Sequence, residues 1–351
     1  LIKVGNKTIG SGSPTYIIAE AGVNHNGDMK LAKELIDAAA IAGADAVKFQ
    51  TFKTENVVSR LAPKAKYQLE NTSPNESQFE MIKRLEMSDH NFYELKDYSE
   101  MKGIQFLSTP FDEASVDLLE KLNVEVYKIG SGEITNLPLL RYIAAKRKPV
   151  ILSTGMANLG EVEEALEVLK ECEVILLHAT SNYPTSVDDV NLLSMKTMEV
   201  AFKKIVGYSD HTQGFEVAVA AVALGAKVIE KHFTLDKDLT GPDHKASLDP
   251  KELKTLVSLI RNVEKSLGNG IKKAMPSEEN TRLAARKSIV ANEVIMQGTV
   301  LTKELLAIKR PGNGIPPKYF GQLIGATVRK NIAVDETIQW GHLIFRDEED
   351  A

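Results

Sequence analysis

The sequence predicts an α/β protein, a (β/α)8 barrel followed by a small β-rich C-terminal domain, and three observations carry that prediction. Eight short apolar, β-branched runs stop on polar, chemistry-bearing residues: YIIAEAGVNH (16–25), AVKFQT (46–51), IQFLSTP (104–110), VYKIGSGE (126–133), VILSTG (150–155), VILLHATS (174–181), IVGYSDHT (205–212) and VIEKHFT (228–234). A helical stretch follows each of them. After Lys287 this rhythm gives way to short β-like pieces and turn clusters. Parallel strands alternating with helices close into a barrel whose active site lies at the C-terminal strand ends, so the polar endings become a list of candidate site residues.

In chain order, IKVGNKTIG reads as a hairpin turning at Gly5-Asn6, placed to cap the bottom of the barrel. The first helix, 29–43, sets Leu31, Leu35, Ile36 and Ala39 on one face, with Asp28 as N-cap and Gly43 as terminator. Helical patterns recur at 112–121, 136–146, 160–170, 191–202, 214–224 and 250–267. The stretch from Thr51 to about Ser77 has mixed polarity, two prolines and no period. An insertion of this length at the active-site end is expected to cover a ligand, so it reads as a substrate loop. The barrel is expected to span 1–270, a polar linker 271–286, and the small domain 287–346, which is too short for a deep pocket of its own.

A barrel needs about 250 residues, so a chain of 351 has room for one barrel and something small. The net charge of −5 argues against a nucleic-acid partner, which would need a basic face. No run approaches the roughly 20 apolar residues of a membrane span, so no membrane partner is expected. Cys172 is the single cysteine; it rules out an internal disulfide, fits a cytoplasmic location, and reads as core filler.

His211 and His232 end the seventh and eighth strands. Neighbouring strand ends can hand two imidazoles to one divalent metal, Mn²⁺, Fe²⁺, Co²⁺ or Zn²⁺, leaving positions open for Lewis-acid work. Glu20 ends the first strand, next to the eighth, where a carboxylate can bind the metal, handle a proton, or pair with a barrel lysine. Lys48 and Lys128 face the mouth from the second and fourth strands. Burying two ammonium groups demands carboxylates or an anionic substrate, and the surrounding Ser108, Thr109, Ser131, Ser153, Thr154 and Ser209 favour the substrate. No P-loop or dinucleotide glycine pattern is present, so a small phosphorylated metabolite is expected rather than a nucleotide. A Schiff-base lysine remains the chemical rival.

Taken together, AEAGVNHNG, VKFQT, STPF, YKIGSGE, ILSTGM, YSDHT, EKHFT with GPDH, and KRPGNG resemble the sialic acid (nonulosonic acid) synthase family over nearly the whole chain. The resemblance implies a TIM barrel with a C-terminal antifreeze-like (SAF) domain. It also implies metal-dependent condensation of phosphoenolpyruvate with an N-acetylmannosamine-type aldose, yielding a 2-keto sugar acid and phosphate. On matching motifs, His211 and His232 would hold Mn²⁺ or a similar ion, and Glu20 would take the proton of the water that adds. Lys48, Thr109, Lys128, Ser131, Ser153 and Ser209 would grip phosphoenolpyruvate; Gln50, Glu133, Tyr183 and Asp243 would meet the sugar. Arg310 would reach the sugar across a domain-swapped homodimer.

The chain departs from the N-acetylneuraminate synthases at ATSNYPT, where Ser181 replaces an asparagine, and in the 67–80 loop. Both the loop and GPDHKASL look closer to synthases of legionaminic-type acids, whose acceptor is a 6-deoxy-2,4-diacetamido mannose. A sialic acid aldolase and a non-catalytic carbohydrate-binding protein are the alternatives.

Overall fold

The computed structural model describes residues 1–73 and 75–345. The chain divides into two compact units, Leu1–Gly268 and a second that begins at Asn269.

The first unit opens with the hairpin β1 (Ile2–Val4) and β2 (Lys7–Ile9), turning at Gly5-Asn6 as expected. Eight parallel strands follow: β3 (Tyr16–Gly22), β4 (Ala46–Thr51), β5 (Gln105–Pro110), β6 (Tyr127–Ile129), β7 (Val150–Ser153), β8 (Val174–Ala179), β9 (Ile205–Asp210) and β10 (Val228–His232). Their order, β5-β4-β3-β10-β9-β8-β7-β6, brings the last strand beside the first. The terminal strands β5 and β6 pack together without a hydrogen-bonded ladder, which makes the barrel nearly closed.

Because side chains alternate across a strand, each strand contributes to two cores. Ile17, Ala19, Val47, Phe49, Phe106, Leu152 and Leu176 face outward and pack with helix residues such as Leu35, Leu119 and Leu253. Ile18, Ala46, Leu107, Val126, Ile151, Ile175, Leu177 and Val228 form the inner layer, closed from below by Ile2, Val4 and Ile9 of the hairpin. The inward positions above that layer are polar, which lifts the chemistry to the C-terminal rim.

The helices match the periodicity closely. The first runs Met29–Ala42, capped by the Asp28 carboxylate on Lys30 N–H and Leu31 N–H, and ends at Gly43 with φ 82°. Ala32 rather than Leu31 completes its buried face. Two helices, Gln78–Leu85 and Asp89–Met101, join the set expected between strands. The 51–77 insertion is more regular than its sequence suggests, with short helices at Thr54–Val57 and Lys66–Asn71; its second proline, at 74, lies outside the described residues. Cys172 is buried against the core, as a filler should be.

The second unit contains a helix, Glu279–Ala285, within the stretch expected to be linker, and then two antiparallel pairs. These are β11 (Ser288–Ala291) with β12 (Leu306–Lys309), and β13 (Thr327–Val328) with β14 (Leu343–Ile344). They enclose a core of Ile289, Ala291, Ile295, Leu301, Ile315, Leu323, Ile332 and Ile338. Residue 346, where the small domain was expected to end, is outside the described residues. No helix among the described residues is long and apolar enough to cross a membrane.

Candidate active site

The floor of the barrel mouth is a buried network of charges. Lys48 Nζ lies 2.8 Å from Glu20 Oε2 and donates to Thr109 Oγ1 at 2.9 Å. Lys128 Nζ donates to Ser153 Oγ at 2.8 Å. Between the two lysines stands Glu230, 3.3 Å from Lys128 Nζ and 3.7 Å from Lys48 Nζ, accepting from Ser209 Oγ at 2.9 Å. Lys48, Lys128, Glu20 and Glu230 are each at most 5% exposed. Both lysines thus have carboxylate partners within the protein, the other of the two balances that burying them was expected to demand. Glu230 was not singled out in the sequence, although it sits two residues before His232 and so faces the same side of the strand.

The two carboxylates differ in state. Burial pushes Glu20 up to about 7 despite Lys48, and the negative charge of Glu230 adds to the rise. Burial also opposes ionisation of Glu230, but Lys128 and Lys48 outweigh it and hold that carboxyl down at about 2. Lys128 is lowered to about 8, chiefly by burial. Two ammonium groups thus face one carboxylate held ionised, Glu230, and one carboxyl that burial makes easier to protonate, Glu20.

At the rim, β3 carries an irregularity between Glu20 and Gly22, and Gly22 takes φ 55°. A Cβ there would meet Glu20 Oε1 at 3.2 Å, Gln50 Nε2 at 3.4 Å and His232 Cε1 at 3.5 Å, so these three groups converge where glycine leaves room. Gln50 also donates to Glu20 Oε1 at 3.3 Å.

His211 and His232 do meet, with ring centroids 5.7 Å apart. His211 Nδ1 lies 2.7 Å from the carbonyl oxygen of Thr180, which assigns the proton to Nδ1 and leaves Nε2 as a lone-pair donor. His232 Nδ1 is buried with no hydrogen-bond partner among the described residues. Burial, above all, lowers both imidazoles, so both are held in the neutral form that ligates a metal. Two neutral imidazoles, one oriented by the Thr180 carbonyl and one with an orphaned nitrogen, fit a divalent cation. No third His, Cys, Asp or Glu completes a closed ligand cage among the described residues. Such a site would keep positions for substrate oxygens.

Tyr183 roofs the pair, its ring centroid 4.3 Å from that of His211 and 5.7 Å from that of His232. Tyr67, from the 51–77 insertion, packs on Tyr183 at 5.2 Å. Asn71 of the same insertion donates to the carbonyl of Pro242 at 3.3 Å, beside Asp243. That carboxyl is buried, accepts no hydrogen bond among the described residues, and is raised to about 6 by burial. On the other side, Gly155 N–H donates to Ser131 Oγ at 2.9 Å, and a Cβ at Gly155 would meet Ser181 Oγ at 2.3 Å and Ser131 Oγ at 2.8 Å. A tight hydroxyl and amide cluster results.

Glu133, in the turn Ser131–Glu133, stands apart from this network and accepts from Asn136 Nδ2 at 2.7 Å. Arg310 belongs to the second unit, where it is exposed immediately after β12.

The NeuB family profile matches residues 35–272, and the SAF domain profile matches residues 286–344. The chain belongs to the NeuB family. This NeuB-family chain is 53% identical to the N,N'-diacetyllegionaminic acid synthase of Campylobacter jejuni, covering 93% of this chain and 99% of that one. It is 47% identical to the protein of the same name from Legionella pneumophila, covering 97% of each. A solved structure of N-acetylneuraminic acid (sialic acid) synthetase from Leptospira borgpetersenii, in complex with citrate, superposes with a TM-score of 0.71 at 39% identity, covering 80% of this chain and 94% of that one. The resemblance read from the motifs, the barrel and the SAF domain agree with these matches.

Proposed function

We propose that this protein condenses phosphoenolpyruvate with a 2,4-diacetamido-6-deoxy-mannose-type aldose to give a legionaminic-type 2-keto sugar acid and inorganic phosphate. The observation that carries the reading is two buried ammonium groups, Lys48 and Lys128, on the inner face of the same barrel whose C-terminal strand ends bring the imidazoles of His211 and His232 together. An anion and a carbonyl substrate then share one mouth. Two of the most similar relatives, both named as N,N'-diacetyllegionaminic acid synthases, support the choice of acceptor over N-acetylmannosamine.

In this reading Lys48 and Lys128, with Thr109, Ser131, Ser153 and Ser209, hold the phosphate and carboxylate oxygens. Asp243, whose buried carboxyl has no hydrogen-bond partner among the described residues, accepts from sugar hydroxyl or amide groups, and Tyr183 with Gln50 shapes the acceptor side. His211 and His232 would hold the divalent ion, Mn²⁺ or a similar metal, which supplies Lewis-acid polarisation of the aldehyde. Carbon 3 of phosphoenolpyruvate forms the new bond to the aldehyde carbon. Glu20 accepts a proton from the water that adds at carbon 2, and the C–O bond to phosphate then breaks, leaving the 2-keto acid. Arg310 contacts the sugar from the small domain of a domain-swapped homodimer.

A phosphate-release assay with Mn²⁺, phosphoenolpyruvate and either sugar tests the reading. It predicts release with both components and a higher kcat/KM for the diacetamido sugar. Borohydride trapping of a lysine adduct with pyruvate, without phosphate release, would instead support the aldolase.

A further inference from the structure

His211 and His232 each follow a charged residue that, by strand alternation, lies on the opposite face of the barrel wall. Those residues, Asp210 and Lys231, are direct partners in the β9–β10 register. Their side chains meet behind the wall, where each is 1% exposed. Lys231 Nζ lies 2.7 Å from Asp210 Oδ2 and 2.5 Å from the carbonyl oxygen of Thr212. Asp210 Oδ1 accepts from Thr212 N–H at 2.9 Å, from its hydroxyl at 2.8 Å and from Tyr208 OH at 3.3 Å. One carboxylate thus ties together the residues on both sides of His211, and one ammonium joins that turn to the residue just before His232.

None of these groups reaches the mouth, so the reaction makes no direct use of them. Nor does stability account for them. Removing two charges from water offsets most of their attraction, and apolar or neutral replacements of similar volume commonly serve the fold as well. What the pair does supply is registry: it fixes two strand ends to each other one residue below the two imidazoles.

We propose that Asp210 and Lys231 form a positioning pair that sets the separation of the His211 and His232 rings and, through it, the affinity of their metal site. The inference rests on the metal reading of those histidines. Neither residue is catalytic, since neither touches substrate or reacting atoms.

The test is calorimetric titration of the full-length protein with Mn²⁺, run beside the melting temperature of the metal-free protein. Lys231→Met leaves the Asp210 carboxylate buried and unpaired, so both the melting temperature and the affinity should fall. The double variant Asp210→Asn/Lys231→Met removes both charges. It should recover most of the melting temperature while its Mn²⁺ dissociation constant stays about tenfold or more above wild type, the scale on which residues that orient metal ligands act. Lys231→Arg, which keeps the charge pair, should retain more affinity than the double variant. A double variant that binds Mn²⁺ as tightly as wild type would overturn the positioning role and leave the metal reading intact. Wild-type protein that binds no Mn²⁺ would overturn both.

Discussion

Glu20 and Glu230 stand on adjacent strands of one wall, yet their surroundings push them to opposite states, and each supports its own prediction. Glu20, held at about 7, must be ionised to accept a proton, so kcat/KM should fall below pH 7. Lys128, lowered to about 8, must be protonated to hold an anion, so the KM for phosphoenolpyruvate should rise above pH 8. A pH profile should therefore peak between these values; activity that stays flat down to pH 5 would remove Glu20 from the proton transfer. Glu20→Gln should lose about 10²- to 10⁴-fold in kcat while still binding phosphoenolpyruvate. Glu230→Gln leaves two buried ammonium groups facing Glu20 alone and should cost about 3–5 kcal/mol of stability, as broken buried ion pairs do. Adding phosphoenolpyruvate should then raise its melting temperature more than that of wild type, because the ligand supplies the missing anion. Glu230 shows where reading residues one at a time falls short: the histidine two positions on drew attention, while the alternation that sets both on one face was in the same string.

Strands and helices were legible because burial imposes period on them. The apolar layer Ile18, Leu107, Ile151 and Leu177 alternates with outward residues, and the polar ends of those apolar runs placed Lys48, Thr109, Lys128 and Ser153 around the mouth. The 51–77 insertion was legible as a substrate loop but not in its internal structure. Its helices are too short to show a face, and Tyr67 reaches Tyr183 through tertiary packing that leaves no local pattern. Asp210 and Lys231 were hidden for a related reason, since a charged residue on the outer face of a strand looks solvated until helices cover it. Tyr67→Ala should raise the KM for the sugar about three- to tenfold, the worth of one aromatic contact, with little change for phosphoenolpyruvate. Steady-state kinetics with each substrate varied in turn checks this; an equal rise in both would contradict a role on the acceptor side.

At the scale of the whole molecule, two compact units divide near Gly268, and the SAF domain has a core of its own. The barrel holds the buried lysine–carboxylate network with Glu20 and the imidazole pair, while Arg310 belongs to the small unit. A fragment ending near residue 275 should therefore keep its fold and its affinity for phosphoenolpyruvate but lose turnover and the dimer together. Sedimentation and phosphate release on the same sample check this, and full activity in a monomeric fragment would exclude the small domain from the reaction. The central claim is that water adds at carbon 2 with Glu20 as base and that phosphate leaves with its bridging oxygen. Phosphoenolpyruvate carrying ¹⁸O at that bridge tests it most directly, by mass analysis of the phosphate released in the presence of Mn²⁺ and the diacetamido sugar. The label should appear in the phosphate; unlabelled phosphate would mean that the P–O bond breaks instead and would contradict the mechanism.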